Sequence, residues 1–160
     1  MINKTLSDEM LLFFLRYLAF YKEFLQLETD KYNDMTQNIM SSLDERVKVE
    51  EAYMLKSRGL EIEREKLIAQ TELPKATFLQ LIPLFDESVR DQIQEIHEEL
   101  SRVLLDLKQT NLRCNQLTQL RLHRIEIDLQ KIAKNPDLQK HYDSRAREGH
   151  VYKSTLSKKI

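Results

Sequence analysis

The stretch Val89-Arg-Asp-Gln-Ile93-Gln-Glu-Ile96-His-Glu-Glu-Leu100-Ser-Arg-Val103-Leu-Leu-Asp-Leu107 decides the fold. Its apolar positions 89, 93, 96, 100, 103 and 107 alternate steps of four and three. That is the heptad spacing of a helix whose apolar seam faces another helix. A strand would need alternation with period two, which this stretch lacks. It opens near Pro83–Asp86, and Asn135-Pro136 closes the run, because the residue before a proline is driven out of helical geometry.

The same spacing appears upstream. Leu6, Met10, Phe13, Tyr17, Tyr21, Phe24 and Leu27 recur in steps of three and four, followed by Met35, Ile39, Leu43, Val47 and Met54. Ser7 or Thr5 is expected to cap the first helix. Nothing from Leu6 to Arg58 obliges a break, and Asn33-Asp34 is the weakest point. Ile62, Leu67 and Ile68 carry the pattern past Gly59 to about Gln70. Between the two patterned segments, Pro74 and Pro83 bracket Phe78, Leu79, Leu81 and Ile82, where Thr77 can cap one helical turn. The chain has two glycines and three prolines in 160 residues, too few for the turns of an all-β domain. The expected fold is therefore all-α. Long antiparallel helices form a coiled-coil-like bundle over residues 1–135, with a helix or helices over 6–70, a turn at 71–85 and a last helix at 86–135. A flexible tail follows at 136–160.

Composition excludes several functions. Lys and Arg total 25 against 26 Asp and Glu. This near-neutral balance does not suit a dedicated nucleic-acid binder, which needs a basic face for phosphates. The balance hides a split: residues 131–160 carry +5 and the remainder −6. Met10–Phe20 is apolar, but Asp8 and Glu9 precede it, Arg16 interrupts it, and it is too short to span a bilayer. Cys114, the one cysteine, cannot form an internal disulfide and suits a reducing cytoplasm. The expected protein is cytoplasmic, without stable membrane insertion or nucleic-acid partner.

No catalytic or metal-binding pattern is present. His97, His123, His141 and His150 belong to no HExxH, and no acid stands three residues before any of them. Phosphate-loop glycines and a GxSxG elbow are also missing. The expected protein is not an enzyme and needs no cofactor or metal.

Three features stand out. Phe13, Phe14, Tyr17, Phe20, Tyr21 and Phe24 place half of the chain's aromatics within twelve residues. They cover more than a narrow two-helix seam needs, so they serve either the protein's own core or a dimer or partner face. In the last helix the seam turns polar at Asn111, with Asn115 one turn later; either this asparagine fixes register or partner choice at some loss of stability, or it lies just off the seam and faces solvent. Beyond it Leu117, Leu122, Ile125 and Leu129 drift in phase, so one internal partner cannot cover them all; they form a strip suited to an amphipathic client helix. Finally, Tyr142 and Tyr152 lie among basic residues of the tail and are candidate anchors for a short contact.

The whole arrangement resembles the FlgN-type flagellar export chaperones of bacteria. The likeness rests on the leucine-rich first helix, the charged run Gly59-Leu60-Glu61-Ile62-Glu63-Arg64-Glu65-Lys66-Leu67, the element Asn111-Leu112-Arg113-Cys114-Asn115-Gln116-Leu117 and the tail Tyr142. The resemblance implies a chaperone that binds C-terminal helical segments of hook-associated proteins, which form the hook–filament junction. It would keep them unassembled and deliver them to the export gate of the flagellar type III apparatus, with Tyr142 as a gate contact. The alternative reading is a structural coiled-coil scaffold or adaptor that oligomerises, as a homodimer for example, through its N-terminal aromatic face.

Overall fold

The computed structural model describes residues 1–137, 139–141 and 143–144. Among them the secondary structure is helical and no strand occurs. The long helices are α1 (Lys4–Thr36), α2 (Leu43–Ala69) and α4 (Glu87–Lys134). A short α3 (Phe78–Leu81) and a 3-10 turn (Ile82–Leu84) connect α2 to α4. The chain divides into two compact units, Met1–Asn115 and Gln116–Ile160.

In the first unit each boundary has a local cause. Asn3, rather than Thr5 or Ser7, caps α1: its Oδ1 accepts from the Leu6 amide at 2.9 Å. Ser7 is fully buried instead, and its hydroxyl accepts from the Asp86 amide at 3.2 Å. Residues 6–70 form two helices, and the stop lies just past Asn33-Asp34. Asn38 adopts φ 58°, the left-handed region that asparagine tolerates better than most residues. The Ile39 amide then reaches Asp34 O at 2.9 Å and the Asn38 amide reaches Met35 O at 3.3 Å. This pair of bonds is a Schellman closure. The Asp34 carboxylate accepts from Ser42 Oγ and from Arg46, which fixes the start of α2. Thr77 caps α3 in a reciprocal box with Gln80. Asp86 Oδ1 receives the Ser88 amide at 3.0 Å at the head of α4.

Cross-helix bonds give the topology. Arg16 meets Glu63, Tyr17 Oη donates to Glu61 at 3.1 Å, and Lys31 meets Glu50, so α1 and α2 run antiparallel. Ser7 with Asp86, Lys22 with Glu99 and Glu28 with Asn111 set α4 parallel to α1. Helix α1 thus has α2 and α4 as neighbours on different sides. This explains the width of its aromatic face. Met10, Phe13, Phe14, Tyr17, Leu18 and Phe20 are buried, and they join Leu60, Leu67 and Ile68 of α2 and Val89, Ile93, Ile96, Leu100 and Val103 of α4 in one core. Phe14 stacks on Phe78 at 4.0 Å between centroids, and Leu81, Ile82 and Phe85 close that end.

In the second unit α4 ends at Lys134, and Asn135 caps a further helical segment through its contact with the Asp137 amide at 3.2 Å. Proline is well placed at the first position of that segment, where no amide donor is needed. Residues 136, 137, 139–141, 143 and 144 are helical. The remainder of the expected tail, with Tyr142 and Tyr152, lies outside the described residues.

Candidate functional site

Two surfaces collect the residues singled out above, one in each unit. In the first unit a groove of about 410 Å³ opens between α2 and α4 above α1. Tyr21, Phe24 and Glu28 of α1 form its floor, Glu50, Met54 and Ser57 one wall, and Leu104, Leu107, Lys108 and Asn111 the other. Met54 and Leu104 stand partly exposed at its lips.

Beneath this groove lies a charged cluster. Glu28 is fully buried and Lys31 nearly so. The Lys31 ammonium donates to Glu28 at 3.0 Å and to Glu50 at 2.6 Å. Asn111 Nδ2 donates to Glu28 Oε2 at 3.4 Å and its Oδ1 accepts from Asn115 at 3.2 Å. Burial pushes the Glu28 carboxyl above the usual range, against the hydrogen bond and charge of Lys31. Burial also opposes the charge on Lys31, but its bonds to Glu50 and Glu28 prevail and raise its pKa. Two carboxylates therefore share one ammonium in a poorly hydrated place. Cys114 is buried alongside, which pushes its thiol pKa up, away from the range of a reactive thiolate.

This cluster escaped the sequence reading. Its signal was a gap: between Leu27 and Met35 the apolar pattern lapses, and Glu28 and Lys31 sit at the helical positions where apolar residues would fall. Asn111, expected in the seam, faces this cluster.

The aromatic residues are allotted differently from a partner face. Phe13, Phe14, Tyr17 and Phe20 lie inside the unit's own core, because α1 has neighbours on two sides. Only Tyr21 and Phe24 retain exposure, and both border the groove. Tyr17 is raised in pKa by burial first, then by Tyr21 and Glu61.

In the second unit, the α4 residues Leu122, Ile125 and Leu129 are 56%, 54% and 43% exposed, while Leu117 is half-buried. Thr118, Leu122, Ile125, Leu129 and Ile132 follow steps of four and three, so they share one helix face. Three large exposed side chains on one face exceed the scatter of single apolar residues normal for a surface.

Among the described residues no cluster of three His, Cys, Asp or Glu could hold a metal ion, and no helix is long and apolar enough to cross a membrane. Helical packing, a largely apolar groove and an exposed apolar helix face are features by which helical proteins take up partner helices. The chain belongs to the FlgN protein family, which it matches over residues 6–149. This is a family of flagellar chaperones, and it gives the chain a general role in flagellar export through the binding of flagellar substrate proteins. Comparison with curated proteins and with solved structures finds no match.

Proposed function

We propose that this protein is a cytoplasmic chaperone of the flagellar type III export pathway that holds the C-terminal helical segments of hook-associated proteins. A junction protein that has not yet assembled exposes an amphipathic helix meant for its neighbour in the polymer. Covering that stripe keeps the client soluble and unassembled, since anything that binds the free form alone shifts the equilibrium toward it. The observation that carries this reading is the exposed α4 face of Leu122, Ile125 and Leu129. With Leu117 it offers apolar contact at helical spacing to a client helix. Asn111 and Asn115 contribute to the choice of client. Delivery to the export gate goes through the tail, with Tyr142 as the contact.

The test is calorimetric titration of the full chain with C-terminal fragments of the hook–filament junction proteins, with the corresponding flagellin fragment as control. Binding of the junction fragments and not of flagellin supports the reading. Binding of flagellin alone, or of none of them, overturns it. For the tail, Tyr142→Ala is expected to lower capture by the soluble domain of the export gate while leaving client binding unchanged.

A further inference from the structure

The groove above Glu28 has a second property. The Lys31 ammonium is shared by Glu28 and Glu50, so the cluster holds two carboxylates against one cation. Glu28 is enclosed, with Lys31 and Asn111 donating to it. Glu50 instead lines the groove, its side chain 18% exposed, and among the described residues Lys31 is the one donor that reaches it. Its second oxygen has no hydrogen-bond donor among the described residues and is not enclosed. Lys108, the one cation among the groove's lining residues, is solvent-exposed, where water and salt screen it. The apolar contacts come from Tyr21, Phe24, Met54, Leu104 and Leu107. A largely apolar trough with the Glu50 carboxylate in one wall, bounded by two helices over a third, has the shape a fourth helix would fill.

We propose that this groove docks one amphipathic helix of a bound flagellar substrate protein, and that Glu50 selects a helix presenting lysine or arginine on its otherwise apolar face. Charge complementarity argues for this occupant. A cation brought to the open oxygen of Glu50 balances the cluster, whereas a carboxylate there would add a third negative group beside Glu28. A fully apolar helix would leave the Glu50 oxygen covered and without a donor. The proposal rests on the chaperone reading only for the origin of the helix. It concerns a surface separate from Leu122, Ile125 and Leu129, so the two stand or fall apart.

The experiment uses fluorescein-labelled helical peptides of one designed sequence of about three heptads, leucine at the seam positions and lysine, leucine or glutamate at the central one. Anisotropy measures their binding to the full chain. The lysine peptide is expected to bind tighter than the glutamate peptide by about tenfold or more, as a charge-assisted bond requires. Glu50→Gln, which keeps an acceptor for Lys31, should shrink that ratio to below about threefold, and Leu104→Asp should weaken every peptide by about tenfold. All titrations are made in the Leu122→Asp background, which removes the exposed α4 face of Leu122, Ile125 and Leu129 as a second site for the peptides. Absence of peptide binding, or equal binding of the three peptides, overturns the proposal. So does a lysine preference that survives Glu50→Gln. A dimer in sedimentation that Leu104→Asp dissociates would assign the groove to a second copy. A gain of about tenfold on deleting residues 145–160 would assign it to the chain's own tail. Either result also overturns the proposal.

Discussion

Replacing Lys31 by methionine keeps an unbranched stem, one atom shorter, and removes the charge. In the wild type the Lys31 ammonium holds Glu28 at 3.0 Å and Glu50 at 2.6 Å. Without it, Glu28 keeps one long bond from Asn111 at 3.4 Å and no cation. Breaking a buried ion pair from one side costs about 3–5 kcal/mol, because the remaining charge is uncompensated. That is a large part of the roughly 5–15 kcal/mol that holds a typical domain folded. The pH dependence separates this mechanism from simple loss of packing. Burial already raises the Glu28 pKa, and Lys31 opposes that rise. Removing Lys31 must raise it further. A carboxyl with a raised folded pKa contributes stability below its unfolded value and loses that contribution as pH rises through the folded pKa. The deficit of Lys31→Met relative to wild type should therefore be full near pH 8 and shrink toward pH 5, as Glu28 takes up a proton. Glu50 and Lys108 border the same cluster, and Cys114 remains a neutral thiol because its pKa is raised. Urea unfolding of both proteins at the two pH values measures the effect. Adding Glu28→Gln to Lys31→Met should recover part of the loss, since the enclosed carboxylate is then gone and only the partly exposed Glu50 lacks its cation. A deficit that is equal at pH 5 and pH 8, or that the second substitution does not relieve, would mean that Lys31 does not act through the Glu28 charge.

Three further outcomes follow from local structure. Gly59 lies inside α2 with nothing within 4 Å of an added Cβ, so Gly59→Ala should stabilise the protein by about 0.5–1 kcal/mol in urea titration. Asn38→Ala should cost a part of the about 1–2 kcal/mol that the left-handed region imposes, because at φ 58° asparagine offsets some of the steric penalty that alanine carries in full; the same assay reads it. Hydrogen bonds from Ser42 and then Arg46 hold the Asp34 pKa below its usual value. Its contribution is therefore present above the unfolded carboxyl pKa of about 3.9 and lost as pH falls through the lower folded value. Asp34→Asn should be less stable than wild type at pH 7, and thermal melts of the two should converge on strong acidification.

The helical class was legible because heptad spacing between Val89 and Val103 and the aromatic turns of α1 both translate into burial. Sequence spacing could not tell whether the aromatics served the protein's own core or a partner. The answer depends on α1 having neighbours on two sides, which is a tertiary fact. The stop after Thr36 was half legible: Asn33-Asp34 marks the weak point, but the closure itself uses Asn38, where glycine would have advertised it. The cap at Asn3 was missed because Thr5, Ser7 and Asp8 nearby are equally good cap residues. At the candidate site, the phase drift after Leu117 was readable, and Leu122, Ile125 and Leu129 are exposed. Glu28, Lys31 and Glu50 were not readable, because charged residues at helical spacing are also the ordinary pattern of a solvated face.

The proposed function stands on the exposed α4 face of Leu122, Ile125 and Leu129 as the surface that holds the client. The most direct measurement is paired: calorimetric binding of a junction-protein C-terminal segment and a thermal melt, both on Leu122→Asp. Leu122 is 56% exposed, so the substitution should change stability by less than about 0.5 kcal/mol. A charge desolvated beneath a bound helix has no partner there, so client affinity should fall by a factor of about one hundred or more. A variant that melts like the wild type and no longer binds is the predicted result. A folded variant that binds the segment with unchanged affinity would contradict the claim.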